Sequence, residues 1–218
     1  GMFAFALWDS KQKKLVLARD PLGKKPLYYS VVNGQIYFAS EIKALLENPE
    51  LQRRMNKSAV GQLLNFRAVL GKETLFEGIY KLLPGSYLVW KNGNKIEKKY
   101  WQLQVKEEIS NEEAAAKKFL ELFDEAVEKR LMSDVPLGTY LSGGVDSSAI
   151  TALMSKKVEE LRTFTVGFGE KGDEISYARA IAEKFSTNHS EVIVDYKDMT
   201  KVLPKLVSGN PIAWVSLE

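Results

Sequence analysis

Tyr140-Leu141-Ser142-Gly143-Gly144-Val145-Asp146-Ser147-Ser148 decides how the second half of this chain folds. Upstream, the apolar run Val135 to Leu141 reads as a buried strand, despite Pro136 and Gly138 near its start. Downstream, Ala149, Ile150, Ala152, Leu153 and Met154 recur with helical spacing before Lys156 and Lys157. The turn between them holds two glycines, and serines stand at both of its ends. Gly143 and Gly144 permit a tight bend and let backbone N–H groups come close to a ligand. Ser147 and Ser148 fall at the start of the new helix, which has unpaired N–H donors and a positive dipole end. That combination is an anion site, and phosphate is the anion it suits. The competing reading is a plain strand-to-helix connection with Ser147 as N-cap.

A phosphate loop of the Walker type needs a lysine before its serine or threonine; here Asp146 stands in that place. An acid beside a phosphate cradle makes sense if it holds Mg²⁺, which neutralises pyrophosphate. The run resembles the pyrophosphate loop of the N-type ATP pyrophosphatases, among them the asparagine, GMP, NAD and argininosuccinate synthetases. Those enzymes cleave ATP between the α and β phosphates, usually to adenylate an oxygen of the substrate.

Toward the C-terminus, Arg162 to Phe168 reads as a second strand, Ile175 to Phe185 as a helix and Glu191 to Val194 as a third strand. The resulting β-α-β-α-β order predicts a parallel, doubly wound sheet, with the first two strand ends side by side where such sheets bind ligands. Ahead of the loop, Ser110-Asn111-Glu112-Glu113 reads as a capping box with Ser110 as N-cap. It opens a helix whose Ala116, Phe119, Leu120, Phe123, Val127 and Leu131 form one buried face. Residues 102–110 are polar and charged and read as a linker.

The first half is mostly antiparallel β. Met2 to Trp8 is apolar on both faces, as for a strand covered on both sides. Lys14 to Ala18 returns beside it, and Leu27 to Val32 follows the turn Arg19-Asp20-Pro21-Leu22-Gly23. Asn33-Gly34 is the strongest hairpin signal, leading into Gln35 to Ala39. Helical patterns cover Glu41 to Glu47 and Lys57 to Phe66, and two more strands lie at Ser86 to Trp90 and Lys95 to Trp101. No turn precedes the first strand, which implies sequence upstream of Gly1.

Several stretches of this half resemble, in order, the class II glutamine amidotransferase domain of the asparagine synthetase B family: Gly1 to Asp9, Arg19 to Tyr29, Phe38 to Leu45 and Leu83 to Leu88. That family's loop region is also matched, by Ser133-Asp134-Val135-Pro136, Phe164 to Phe168, Asp173-Glu174, Tyr177-Ala178 and Thr187-Asn188-His189. The resemblance implies two domains. Residues 1–104 would be the C-terminal part of an αββα N-terminal-nucleophile sandwich. Residues 105–218 would be the N-terminal part of a doubly wound synthetase domain with a pyrophosphate loop. The family's nucleophile is an N-terminal cysteine whose α-amine acts as base. The chain contains no cysteine, so no catalytic residue is carried over. Arg19 and Asp20 are expected to brace their turn and the contact between domains.

By the same resemblance, Leu141 and Val166 border adenine. Ser142, Gly143, Gly144, Val145, Asp146, Ser147 and Ser148 cradle the phosphates of ATP, and Asp146 carries Mg²⁺. His189 reads as a cap or turn residue before the third strand. The family's acidic stretch near the end of the chain is replaced here by Gly209-Asn210-Pro211-Ile212-Ala213-Trp214, a departure that puts acceptor or metal handling there in doubt.

Composition narrows the classes. Apolar residues make up 45% and charged residues 27% of the chain, ordinary for a globular protein. No apolar run approaches membrane-spanning length, so no membrane role is expected. Absence of cysteine removes disulfides and thiolate metal sites and fits a cytoplasmic protein, and a single histidine removes a multi-histidine metal centre. The net charge of +3 is scattered, with no basic stripe interleaved with aromatics, which argues against a nucleic-acid partner.

The function implied is ATP-dependent amidation of aspartate. Its β-carboxylate attacks the α-phosphorus and expels pyrophosphate, and ammonia from glutamine then displaces AMP from β-aspartyl-AMP. The partners are therefore the small molecules aspartate, glutamine and ATP, and a homodimer stays open. The alternatives are an amide-forming synthetase with another acceptor, of β-lactam or peptide-amide type, and a non-catalytic nucleotide-binding scaffold.

Overall fold

A computed structural model of the protein describes residues 1–106, 109–169 and 173–209. They form two compact units, one of residues 1–105 with 205–209 and one of residues 106–204.

In the first unit, β1 (Ala4–Asp9), β2 (Lys14–Arg19), β6 (Ser86–Lys91) and β7 (Asn94–Lys99) make one antiparallel sheet in the order β1-β2-β6-β7. A second antiparallel sheet has the order β4-β3-β5, from β3 (Tyr28–Val32), β4 (Gln35–Ala39) and β5 (Ile79–Lys81). Asn33 and Gly34 both take positive φ, 50° and 74°, the geometry whose twist matches a two-residue hairpin. The sheets share one apolar core. Leu15, Leu17 and Leu88 from the first meet Leu27, Tyr29 and Leu82 from around the second. A second cluster, Tyr28, Leu45, Leu51 and Ile79, lies under α1 (Ile42–Leu46). Helix α2 (Lys57–Phe66) has the bounds its periodicity predicts and is capped by Asn56, whose side chain accepts from Ala59 N.

Tyr29 is fully buried, yet its hydroxyl accepts from Lys95 Nζ at 3.1 Å and donates to Glu97 Oε2 at 3.2 Å. Burial, and then the Glu97 charge, push its pKa well up, so it stays a neutral donor.

One expectation for this unit is overturned. Among the described residues β1 is an edge strand paired only with β2, and Phe5, Leu7 and Trp8 are exposed. An apolar run signals a demand for cover on both faces and does not supply it.

The second unit is a parallel sheet of β8 (Gly138–Tyr140), β9 (Arg162–Gly167) and β10 (Asn188–Ile193), in the order β10-β9-β8. Helix α3 (Glu112–Glu128) precedes β8, α4 (Val145–Met154) joins β8 to β9, and α5 (Ile175–Lys184) joins β9 to β10. Helix α6 (Tyr196–Gly209), with Pro204 in its interior, follows β10. The parallel direction is as predicted. The strands run in sequential order, however, so the reversal that double winding requires is absent among the described residues.

Strand β9 alternates, with Thr163, Thr165 and Gly167 buried and Phe164 and Val166 exposed, so one face of the sheet is covered and the other open. Leu141 packs with Ala178, Ala182 and Ile181 of α5, while Val127 of α3 packs with Met154 of α4 and Leu161.

Three further expectations for this half are corrected. The N-cap of α3 is Asn111, not Ser110; its side chain accepts from Ala114 N at 3.0 Å, one residue later than the capping box places it. The predicted buried face of α3 is buried only near its C-terminal end. Phe123, Val127 and Leu131 join the cluster with α4, while Ala116, Phe119 and Leu120 are exposed. The first strand is shorter than Val135 to Leu141, because Pro136 offers no N–H to a ladder and Val135 is exposed. The substituted stretch from Asn210 to Trp214 lies outside the described residues, as does part of the predicted linker.

Candidate functional site

The loop sits at the C-terminal end of β8. Leu141 N donates to Phe164 O at 2.9 Å, and Thr165 Oγ1 donates to Leu141 O, so this strand end is pinned to β9 through both backbone groups. The Leu141 side chain is 1% exposed and packs against α5. Val166 presents its side chain on the open face of the sheet. Beyond Leu141, Gly143 takes φ +77°, and helix α4 starts at Val145 with Gly144 as N-cap. Ser147 is therefore the third helical residue rather than the cap.

Two serine hydroxyls are spent bracing the turn. Ser147 Oγ donates to Gly144 O at 3.2 Å and receives Ser142 N at 3.2 Å. That leaves Ser142 Oγ to donate to Ser147 Oγ across 3.0 Å while it accepts Gly144 N at 3.3 Å. The first intrahelical bond here runs from Ser148 N to Gly144 O, so Val145, Asp146 and Ser147 keep the free N–H groups of a helix start. Ser148 Oγ is buried without a hydrogen-bond partner. The Asp146 carboxylate is exposed and pairs with no side chain among the described residues.

These observations fit the groups that the residue pattern implies. Three N–H donors outside the helix ladder and the positive end of α4 lie together at one helix start, the arrangement that suits a phosphate. No cluster of three or more acidic or histidine side chains could hold a metal alone among the described residues. Mg²⁺ is ordinarily held by one or two carboxylates together with phosphate oxygens, and the exposed Asp146 carboxylate is of the kind such a set could use.

Sequence reasoning matched Asp173 to the family pattern but gave it no role. Its Oδ2 accepts from Phe168 N at 2.8 Å and Gly169 N at 2.6 Å, closing the turn beyond β9. The signal was an acid shortly before a helical pattern, just past a strand ending in Gly. His189 is placed differently from its reading as a cap or turn residue. It lies within β10, with Nδ1 at 2.8 Å from Thr163 Oγ1, which is itself 2.8 Å from Thr187 Oγ1. Nε2 is 3.4 Å from Glu191 Oε1, near enough to feel the charge but without hydrogen-bond geometry. Glu191 is held by both ends of the Arg179 guanidinium at 2.9 and 2.8 Å, which lowers its pKa. An open groove lined by Arg179, Glu183, Ser186, Thr187, His189 and Glu191 runs here, at the opposite end of the strands from the loop. No helix among the described residues is long and apolar enough to cross a membrane.

Two family profiles match, "Glutamine amidotransferase domain" over residues 1–101 and "Asparagine synthase" over residues 118–212. "Asparagine synthetase [glutamine-hydrolyzing] 1" of Bacillus subtilis (strain 168) is 34% identical over 95% of this chain and 33% of its own length. "Asparagine synthetase [glutamine-hydrolyzing] 3" of the same organism is 30% identical over 95% of this chain and 36% of its own. "Amidase chyE" of Penicillium rubens is 33% identical over 84% of this chain and 30% of its own. The chain thus spans about a third of the length of the curated relatives it matches. One profile matches each half, and across 95% of its length the chain is similar to glutamine-hydrolysing asparagine synthetases.

Proposed function

We propose that the protein is an ATP-dependent, amide-forming ligase that takes its nitrogen from glutamine, and that the turn Ser142 to Ser148 holds the pyrophosphate of ATP. The observation that carries this reading is the set of unspent N–H groups at the start of α4, those of Val145, Asp146 and Ser147. Such fixed donors cost no reorganisation when charge develops on a leaving group, which is where electrostatic catalysis gains most. Gly144 leaves space for the phosphates, since a Cβ there would meet only Ser142 Oγ, at 3.3 Å. Leu141 and Val166 border the adenine, Val166 from the open face of the sheet and Leu141 at the strand end, where its buried side chain also backs the loop. Mg²⁺ would be held by Asp146 and the phosphates, and when bound it supplies neutralising charge.

The acceptor is aspartate on this reading, as the names of the synthetase relatives suggest. Residues 1–104 would belong to the glutamine-handling domain and residues 105–218 to the synthetase domain. A second reading, another acceptor, is favoured by the match to an amidase at similar identity. The test is pyrophosphate release from Mg-ATP by the complete protein. Release that rises with aspartate supports the first reading, and release with other carboxylic acids only supports the second. No release with any acceptor overturns both and leaves a nucleotide-binding scaffold.

A further inference from the structure

The two glycines of the loop are not equivalent, and a third glycine shares the role of one of them. A Cβ at Gly143 would lie 2.5 Å from Tyr177 Cβ and 2.7 Å from both Tyr177 C and Ala178 N. Those atoms are the backbone and root of the first turn of α5, so they cannot swing away. Gly143 therefore leaves room for α5, whereas Gly144 faces open space apart from Ser142 Oγ. At the end of β9 the pattern repeats. A Cβ at Gly167 would lie 2.2 Å from Ile175 Cδ1, 2.7 Å from Ile175 Cγ1 and 2.9 Å from Asp173 Oδ2. Asp173 in turn holds the N–H groups of Phe168 and Gly169. One helical turn thus fills the side-chain space of two glycines on two neighbouring strand ends, with Ala178 fully buried behind it.

We propose that the first turn of α5, Ile175 to Ala178, is the strut that fixes the shape of the phosphate loop, with Ile175 and Asp173 as its positioning residues. Local bonds alone do not set that shape. The Ser142–Ser147 hydroxyl pair closes the turn on itself, but only the seat against α5 prevents the peptide at Gly143 from moving into the space behind it. Displacing α5 would turn the N–H groups of Val145 to Ser147 off their common target, while leaving the residues that touch phosphate unchanged. This deepens the proposed function and rests on it for the ligand only; the mechanical claim stands on geometry.

The test moves a methyl across the Gly167–Ile175 contact. Gly167→Ala in the complete protein should speed amide exchange of residues 141–148 without nucleotide and weaken Mg-ATP binding, each by about tenfold, equivalent to roughly 1.4 kcal/mol. Adding Ile175→Ala, which removes both the Cγ1 and the Cδ1 that the introduced Cβ would strike, should bring both within about threefold of wild type. The amides of Thr151 to Met154, in the last turn of α4, should exchange as in wild type throughout. Wild-type exchange of the loop in Gly167→Ala, or no recovery in the double variant, overturns the strut. So does equal acceleration of Thr151 to Met154, because the effect is then global. Should Gly167→Ala not fold, Ile175→Val alone leaves a methyl-sized gap and must itself speed loop exchange; no change overturns the proposal. If exchange behaves as expected while Mg-ATP does not bind even the wild type, the strut stands and the nucleotide reading falls.

Discussion

Two turns in this chain are made of the same parts and come out opposite. Arg19 to Gly23 and Ser142 to Ser148 each follow a strand, contain an acid, and include a glycine at positive φ, 65° at Gly23 and 77° at Gly143. In the first turn the polar groups close on the chain. Arg19 donates to Lys25 O, Leu82 O and Gly23 O, each at 2.8 Å. Asp20, 2% exposed, accepts from Leu22, Lys24 and Lys25 N at 3.2, 3.0 and 2.9 Å. In the second turn the acid and the helix-start donors are left open. An acid-and-glycine turn therefore says little about role until the fate of its hydrogen-bonding groups is known. Inward closure marks a brace, and an unspent set marks a place for a ligand.

The largest effect should come from breaking the closed turn. Asp20→Ala leaves three backbone donors unmet in a buried setting and should cost about 3 kcal/mol of stability, read from urea unfolding. A loss below about 1 kcal/mol would show that the turn holds without its acid. The same acid should shape the pH dependence. Burial by itself raises the Asp20 pKa, but the N–H groups of Lys25, Lys24 and Leu22 outweigh it, and the net shift is downward. A carboxyl depressed in the folded state contributes stability that is complete above the unfolded pKa, about 3.9, and is lost as pH falls through the lower native value. Asp20→Asn should flatten that acid limb; an unchanged limb would place the acid sensitivity elsewhere.

Next is the open turn. Gly144→Val, at a φ of −69° that any residue can adopt, should keep the fold and weaken Mg-ATP binding by about a hundredfold, or roughly 2.7 kcal/mol, through blocked phosphate approach. Calorimetric titration beside a melting curve checks it, and normal binding by the folded variant places the cradle elsewhere. Asp146→Ala should slow pyrophosphate release by at least about tenfold, or roughly 1.4 kcal/mol, with stability unchanged. Full activity at saturating Mg-ATP would remove Asp146 from the metal. The smallest expected effect is none at all. The 218-residue chain, lacking cysteine, should release no glutamate from glutamine above a heat-killed control, and turnover would mean that another nucleophile is at work.

What could be read in advance followed from the range of the physics involved. Asn33-Gly34 and the Lys57 to Phe66 helix were legible because their causes are local: two residues able to hold positive φ, and an Asn cap before a periodic run. The loop was legible because Ser-Gly-Gly-x-Asp-Ser-Ser constrains backbone shape over a few residues. The exposure of Phe5, Leu7 and Trp8 was hidden, since a side chain carries no record of what lies over it. Strand β5 was missed because a segment as short as Ile79–Lys81 has too little alternation to detect. The division of labour among the serines was also out of reach. It depends on Ser142 and Ser147 meeting across a bend, while the Ser148 hydroxyl, one residue on, is buried without a partner among the described residues.

The imidazole of His189 has a consequence for how β10 is kept in line. Strand β10 lies at the edge of its sheet, and backbone bonds to β9 would be equally satisfied after a slide along it. The Thr187–Thr163–His189 chain breaks that degeneracy. A slip by one residue carries His189 to the opposite face and brings Asn188 or Ser190 against Thr163, neither of which reproduces a ring nitrogen at that distance. The side-chain bonds thus act as a vernier on the strand, fixing by chemistry a register that the backbone alone would leave free to drift.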